Sequence, residues 1–130
     1  MLSVKKILYK ILEKPIVVES GVGGTGNAWH YRKWSDGTAE AWIRIQKTLT
    51  GVQSGAAPWS GYIYEIGTSN YPTNLFIEEP VGTISGSVGT AWCVVSYSQF
   101  YQQGISVILT SNVNASQNCV ARAYAIGRWK

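Results

Sequence analysis

The chain is poor in the residues that most chemistry needs. Charged side chains make up 14% of its 130 residues, and there are two cysteines, one histidine and one methionine. One histidine leaves a single candidate base for nucleophilic catalysis. His30 lies between tryptophans, and the nearby Asp36 belongs to a turn motif, so no Ser-His-Asp arrangement is expected. Two cysteines and one histidine without ligand spacing predict no metal site. P-loop and calcium-loop motifs are lacking, and no cofactor is expected. No apolar run is long enough to span a membrane, and lysines interrupt the apolar residues of the N-terminus, so neither an anchor nor a secretory leader is expected. Such a chain is expected to be soluble and made in a cytoplasm.

The formal net charge of +4 is concentrated at one end. Lys5, Lys6, Lys10 and Lys14 outweigh Glu13 there, leaving seven basic and six acidic groups in residues 15–130. The nearly neutral remainder lacks the basic stripe with exposed aromatics that single-strand binders use, which argues against a nucleic-acid partner.

Aromatic, β-branched, glycine and serine residues are abundant. With six Trp, eight Tyr and fourteen Gly, the composition favours an all-β domain with many turns. Residues 2–14 stand apart. Val4, Ile7, Leu8, Ile11 and Leu12 recur at helical spacing and Pro15 ends the pattern, predicting an amphipathic helix over 1–14. Val4, Ile7 and Ile11 fit a short a/d seam, and β-branched residues at both positions favour trimers. The expected organisation is an oligomerisation stalk over 1–14 and an antiparallel β-sandwich, jelly-roll-like, over 15–130. Docking of the helix on its own domain or on a membrane surface are the alternatives.

The string GVGGTG, Gly21 to Gly26, fits the letters of a dinucleotide fingerprint, but no helix pattern follows it. It reads instead as a pliable loop, or as a close pass of three chains near an axis. Next comes a hairpin centred on Asp36-Gly37. A two-residue loop would set Lys33 opposite Glu40, Tyr31 opposite Trp42 and Trp29 opposite Arg44. Further strands are expected near 61–66, 75–79, 91–98, 104–110 and 119–127, with SGAAPWSG, SNYPTN, EEPVGTISGSVG, QFYQQG and SNVNASQN as loops. Cys93 and Cys119 lie in apolar strand-like runs and read as buried free thiols. In the last strand neither alternating face is strongly polar, as expected of a strand covered by a second sheet and by another subunit.

The carboxylates Glu40, Glu65, Glu78 and Glu79 form no facing pair of the kind glycosidases need. The chemistry that remains is surface recognition. Trp59, Tyr62, Tyr71 and Tyr101 lie in or beside loops rich in Asn, Gln, Ser and Gly, where flat rings stack on sugars and polar groups meet the hydroxyls. The competing reading places these rings in a subunit interface.

YRKWSDGTAEAW, Tyr31 to Trp42, together with AYAIGRWK, Ala123 to Lys130, resembles the C-terminal domain of tail-fibre and minor structural proteins of phages and prophages of Gram-positive bacteria. Related strings in that family read YRKW, a small turn and AECW, and end in a similar IGRWK; here Ala41 stands where many have Cys. The strings cover about a quarter of the chain. The resemblance implies a homotrimeric β-rich head or tip on a fibre. It implies assembly in the bacterial cytoplasm, incorporation into the virion tail beside other tail proteins, and adhesion to host surface polysaccharide. It transfers no binding residues. A purely structural tail-tip module, and a fragment of a cell-wall polysaccharide hydrolase, are the rival expectations.

Overall fold

The computed structural model of the chain describes residues 14–54 and 61–130. Residues 1–13 of the expected helix over 1–14, with its seam at Val4, Ile7 and Ile11, and the candidate Trp59 lie outside the described residues.

Nine strands follow one another: β1 (Val17–Gly23), β2 (Trp29–Trp34), β3 (Thr38–Thr50), β4 (Val52–Ser54), β5 (Gly61–Asn70), β6 (Val81–Val88), β7 (Cys93–Phe100), β8 (Gly104–Ser111) and β9 (Ser116–Arg128). They build a five-stranded sheet, β1-β2-β3-β9-β6, and a four-stranded sheet, β4-β5-β8-β7. Every pairing between these strands is antiparallel, so the architecture is the all-β sandwich expected from composition and turn spacing.

Small inward residues let the sheets close. On β3 and β9, Ala39, Ala41, Cys119, Ala121 and Ala125 are fully buried. Bulk comes from Trp29, Tyr64, Ile66, Ile105, Val107 and Leu109, which fill the space those small residues leave. β3 and β9 pair without interruption from Thr38↔Arg128 to Thr50↔Ser116 and form the spine of the larger sheet. Cys93 and Cys119 are free thiols, Cys119 buried and Cys93 half-buried. Burial raises the pKa of both, as expected for thiols in apolar surroundings.

The hairpin forms, one residue out of the expected register. Tyr31 faces Ala41, Arg32 faces Glu40 and His30 faces Trp42. The loop has three residues, Ser35 to Gly37: the Gly37 amide donates to the Trp34 carbonyl at 3.1 Å, and Gly37 sits at φ +95°. That is a type I turn closed by a left-handed glycine, which a two-residue reading of Asp-Gly overlooks. Asp36 accepts the Thr38 amide at 2.9 Å, and this bond lowers its pKa. The physical arbiter is burial. The observed register turns Trp29 and Tyr31 towards the core with Ala39, Ala41 and Ile43, and puts His30, Arg32 and Trp34 outside beside Glu40, Trp42 and Arg44. The expected register would have mixed these sets.

Three other expectations change. Gly21 to Gly23 are not loop but the end of β1, paired with Tyr31, His30 and Trp29, while Thr25–Asn27 make a single tight turn. Gly24, at φ +74°, passes so close to the Asn70 carbonyl and the Trp29 ring that no side chain fits. The close pass is made within one chain. Residues 75–79 are not a strand; Leu75 and Phe76 are core residues carried on a turn-rich loop, in which the Leu75 amide bonds the Pro72 carbonyl and the Ile77 amide bonds the Arg128 carbonyl. Conversely VGTISGSV, expected as loop, is strand β6. A Cβ at Gly86 would drive into Leu109, so glycine there marks sheet-to-sheet contact and not a turn.

The two strings that carry the family resemblance meet in space. The Trp129 indole donates to the Trp34 carbonyl at 2.8 Å, the Trp129 amide to the Gly37 carbonyl at 2.9 Å, and the Lys33 ammonium lies 5.2 Å from the Trp129 ring centroid. Glu40 joins the same unit: it accepts from the Tyr124 hydroxyl at 2.6 Å, the Arg32 Nε at 2.7 Å and the Trp34 indole at 3.3 Å. Ala41, where many proteins of the family it resembles carry Cys, is fully buried opposite Ala125, a place that asks only for a small side chain.

Candidate functional site

At one end of the sandwich the loop after β5 meets the loop between β7 and β8. The sequence supplies the bend: Pro72 fixes one φ, and Asn74 adopts φ +61°, a conformation asparagine tolerates better than most residues. The Tyr71 amide donates to the Gln103 carbonyl at 2.9 Å, and the Gln102 side-chain amide donates to the Phe76 carbonyl at 3.3 Å, so the two loops are tied together. Between them lies a cleft of ≈ 310 Å³ lined by Asn70, Tyr71, Pro72, Asn74, Gln102 and Gln103. Carboxamides dominate its polar lining and no charged residue contributes. Donor and acceptor on each amide suit the paired donor and acceptor character of a sugar hydroxyl, without the desolvation cost of an ion.

The sequence candidates fare differently in this frame. Tyr71 lines the cleft but is 4% exposed, with its ring set edge-on to Trp29 at 4.7 Å and to Phe76 at 4.9 Å. Its face is a core surface and offers no platform to a sugar. Burial pushes its pKa well above the usual tyrosine value, and its buried hydroxyl has no hydrogen-bond partner among the described residues. Tyr62 is half-buried against the core on β5. Tyr101 is exposed, and its hydroxyl lies 3.1 Å from that of Tyr97. Its carbonyl-side neighbours Gln102 and Gln103 line the cleft, so Tyr101 and Tyr71 belong to loops that meet, while Tyr62 contributes nothing to the cleft lining.

Sequence reasoning passed over Asn70, Asn74, Gln102 and Gln103. Their signal was present: SNYPTN and QFYQQG are both carboxamide-rich, but nothing in a linear string says that two loops thirty residues apart share one cleft. It also passed over Tyr97, which a β-bulge between Val95 and Tyr97 helps to turn outward.

On the outer face of the five-stranded sheet His30 stacks on Trp42, ring centroids 5.9 Å apart and nearly parallel. The Arg32 guanidinium lies 4.9 Å from the Trp42 ring centroid and 5.7 Å from that of Trp34. His30 is thus a stacked surface ring, and Asp36 is engaged in its own turn.

No protein-family model and no curated protein matches the chain. Among solved structures, the fold is similar to that of an N-truncated R1-type pyocin tail fibre, with a TM-score of 0.54, 12% identity and 98% of each chain covered. It is likewise similar to a P. aeruginosa R1 pyocin fibre comprising C-terminal residues 323–701, with a TM-score of 0.54 and 13% identity. The match covers 98% of this chain and 32% of that one, so the chain spans about a third of the longer fibre piece. At such identity the likeness is one of fold. The Gram-positive origin implied by the sequence strings finds no support in these two structures. What this chain shares with tail fibres, over nearly its whole length, is the sandwich itself.

Proposed function

We infer that this chain is the tip domain of a phage-type tail fibre, which acts as a homotrimer, binds host surface glycan and performs no catalysis. The observation that carries the reading is the match of nearly the entire chain to the fold of R1-type pyocin tail fibres. The uncharged cleft gives it a place to work. Asn70, Asn74, Gln102 and Gln103 would meet sugar hydroxyls, with the exposed Tyr101 ring beside them. Three such sites on one head raise effective affinity through avidity, without any new contact. The stalk would come from Val4, Ile7 and Ile11, and the remaining tail proteins would be the other partners in the virion.

Titration with purified host-wall polysaccharides, followed by intrinsic fluorescence, tests this reading. Binding is expected, and Asn74→Gly, which keeps the left-handed backbone but removes the amide, should weaken it roughly tenfold, the worth of about one good hydrogen bond to a buried partner. No response across the panel would favour a purely structural tip module; release of reducing ends would favour the hydrolase. Light scattering that gives a monomer for the full chain would remove the trimer.

A further inference from the structure

The outer face of the five-stranded sheet holds a feature that the cleft does not use. Arg44 on β3 and Arg122 on β9 are directly opposite in register, and both are exposed. Like charges directly opposite on neighbouring strands destabilise a sheet. Among the described residues no carboxylate offsets this. Arg44 donates to the neutral Gln46 Oε1 at 2.7 Å, and Arg122 has no ion pair among the described residues. On its other side Arg122 faces Ser85 of β6. The sheet's own carboxylates are engaged elsewhere, Glu40 with Arg32 and Glu19 with Lys33.

The arginines do not stand alone. A trough of ≈ 470 Å³ is lined by both of them together with Ala28, His30 and Trp42. The stacked His30 and Trp42 form one side, so two cations lie beside an aromatic pair. A guanidinium binds carboxylate and phosphate through paired N–H donors, and the apolar edge of an aromatic pair packs against the C–H side of a pyranose.

We propose that this trough binds an anionic saccharide, its carboxylate or phosphate held between Arg44 and Arg122 and its ring packed against the side of the His30–Trp42 stack. The inference rests on the glycan-binding reading and deepens it, on a face distinct from the carboxamide cleft. An anion between the arginines converts a repulsive pair into two attractive ones, and this specifies charge on the ligand where the cleft specifies hydroxyls.

The test uses the full chain and calorimetric titration with three probes: trigalacturonate, glucose 6-phosphate and neutral maltotriose. One acidic probe or both should bind, more weakly as salt rises, while maltotriose does not. Which acid binds distinguishes carboxylate from phosphate as the source of charge. Arg122→Gln and, separately, Arg44→Gln should each weaken binding roughly tenfold, the worth of a charge-assisted hydrogen bond. Because each removes a repulsion, each should leave Tm unchanged or raise it. Equal binding of acidic and neutral probes, or failure of both acids, overturns the proposal. So does a fall in Tm with a change of mass by light scattering, which would mean that the arginines face carboxylates of a second copy. Host polysaccharide binding that survives both substitutions removes this inference and leaves the proposed function standing.

Discussion

The two sheets share one core, yet they turn different surfaces outward. Apart from Glu65 and Tyr97, the four-stranded sheet presents short, uncharged side chains such as Val94, Ser96, Ile108 and Thr110, with hydroxyls that bond among themselves, as the Thr110 hydroxyl does to that of Ser96 at 2.8 Å. The five-stranded sheet presents Trp42, His30, Tyr124 and all four of the chain's arginines, Arg32, Arg44, Arg122 and Arg128. Its Glu40, 8% exposed, collects three donors from β2 and β9. Solvent alone asks nothing of an outer sheet face beyond polarity. Like charges in directly opposite register are a cost that stability does not explain, which is why a second recognition site is sought on the larger sheet.

The substitution expected to cost most acts below that difference, on the core both sheets share. Trp29 is fully buried, packs edge-on to Tyr71 and donates to the Ser69 hydroxyl at 2.9 Å. Trp29→Ala should destabilise by about 3–5 kcal/mol in denaturant unfolding, the usual loss for a large aromatic in a core. A cost under about 1 kcal/mol would show that the sheets are held together elsewhere.

Glu40→Ala sharpens the contrast, since it damages the larger sheet alone. It strips an acceptor from Arg32, Tyr124 and Trp34 at once. Because Arg32 is half in solvent, the loss should be about 2 kcal/mol and not the larger figure for a fully buried pair. Chemical denaturation of the single variant decides it. Arg32→Gln, by contrast, should leave much of that stability in place.

Alkaline pH separates the same regions more gently. The hydrogen bond to Glu40 raises the pKa of Tyr124, and burial raises that of Tyr71. A raised folded-state pKa means that the stabilisation is complete below the ordinary tyrosine value of about 10 and is lost as pH rises through the raised values. Melting temperature should therefore hold to about pH 8, begin to fall above the ordinary thiol value of about 8.5 because Cys93 and Cys119 are raised as well, and fall more steeply beyond about pH 10. Tyr124→Phe should flatten part of that decline. An unchanged slope would place the alkaline sensitivity at the other raised groups, Tyr71, Tyr31, Tyr101 and the two thiols.

The smallest effect belongs to the plainer face. Thr110→Ala removes one exposed hydroxyl bond to Ser96 and should change stability by less than about 0.5 kcal/mol. A larger loss would mean that the four-stranded face is buried against something in solution.

Much of the fold was legible from local pattern. Alternation in CVARAYAI and the Asp-Gly turn placed β9 and the β2-β3 hairpin, because side-chain period and turn chemistry are properties of neighbouring residues. The failures share one cause. VGTISGSV read as loop since its glycines look like turn residues, but Gly86 makes room for Leu109 and Gly82 for Phe100, both from the other sheet. Leu75 and Phe76 read as strand since they are apolar, but an irregular loop can also deliver apolar side chains to a core. The hairpin register was missed by one residue for a related reason: the strand pairs look plausible either way, and the burial of Ala39, Ala41 and Ile43 chooses between them.

For the candidate site the division is sharper. Composition and local spacing, written residue by residue, were enough to specify an all-β domain with a single histidine, few charges and carboxamide-rich loops. They named Tyr101 and Tyr71 as recognition candidates but could not tell an exposed ring from a buried one. Only the tertiary structure joined SNYPTN to QFYQQG across one cleft, sank Tyr71 into the core and set Arg44 opposite Arg122. Those facts depend on which distant segments meet, and that is decided by packing the whole chain around Trp29 and its alanine-lined sheet.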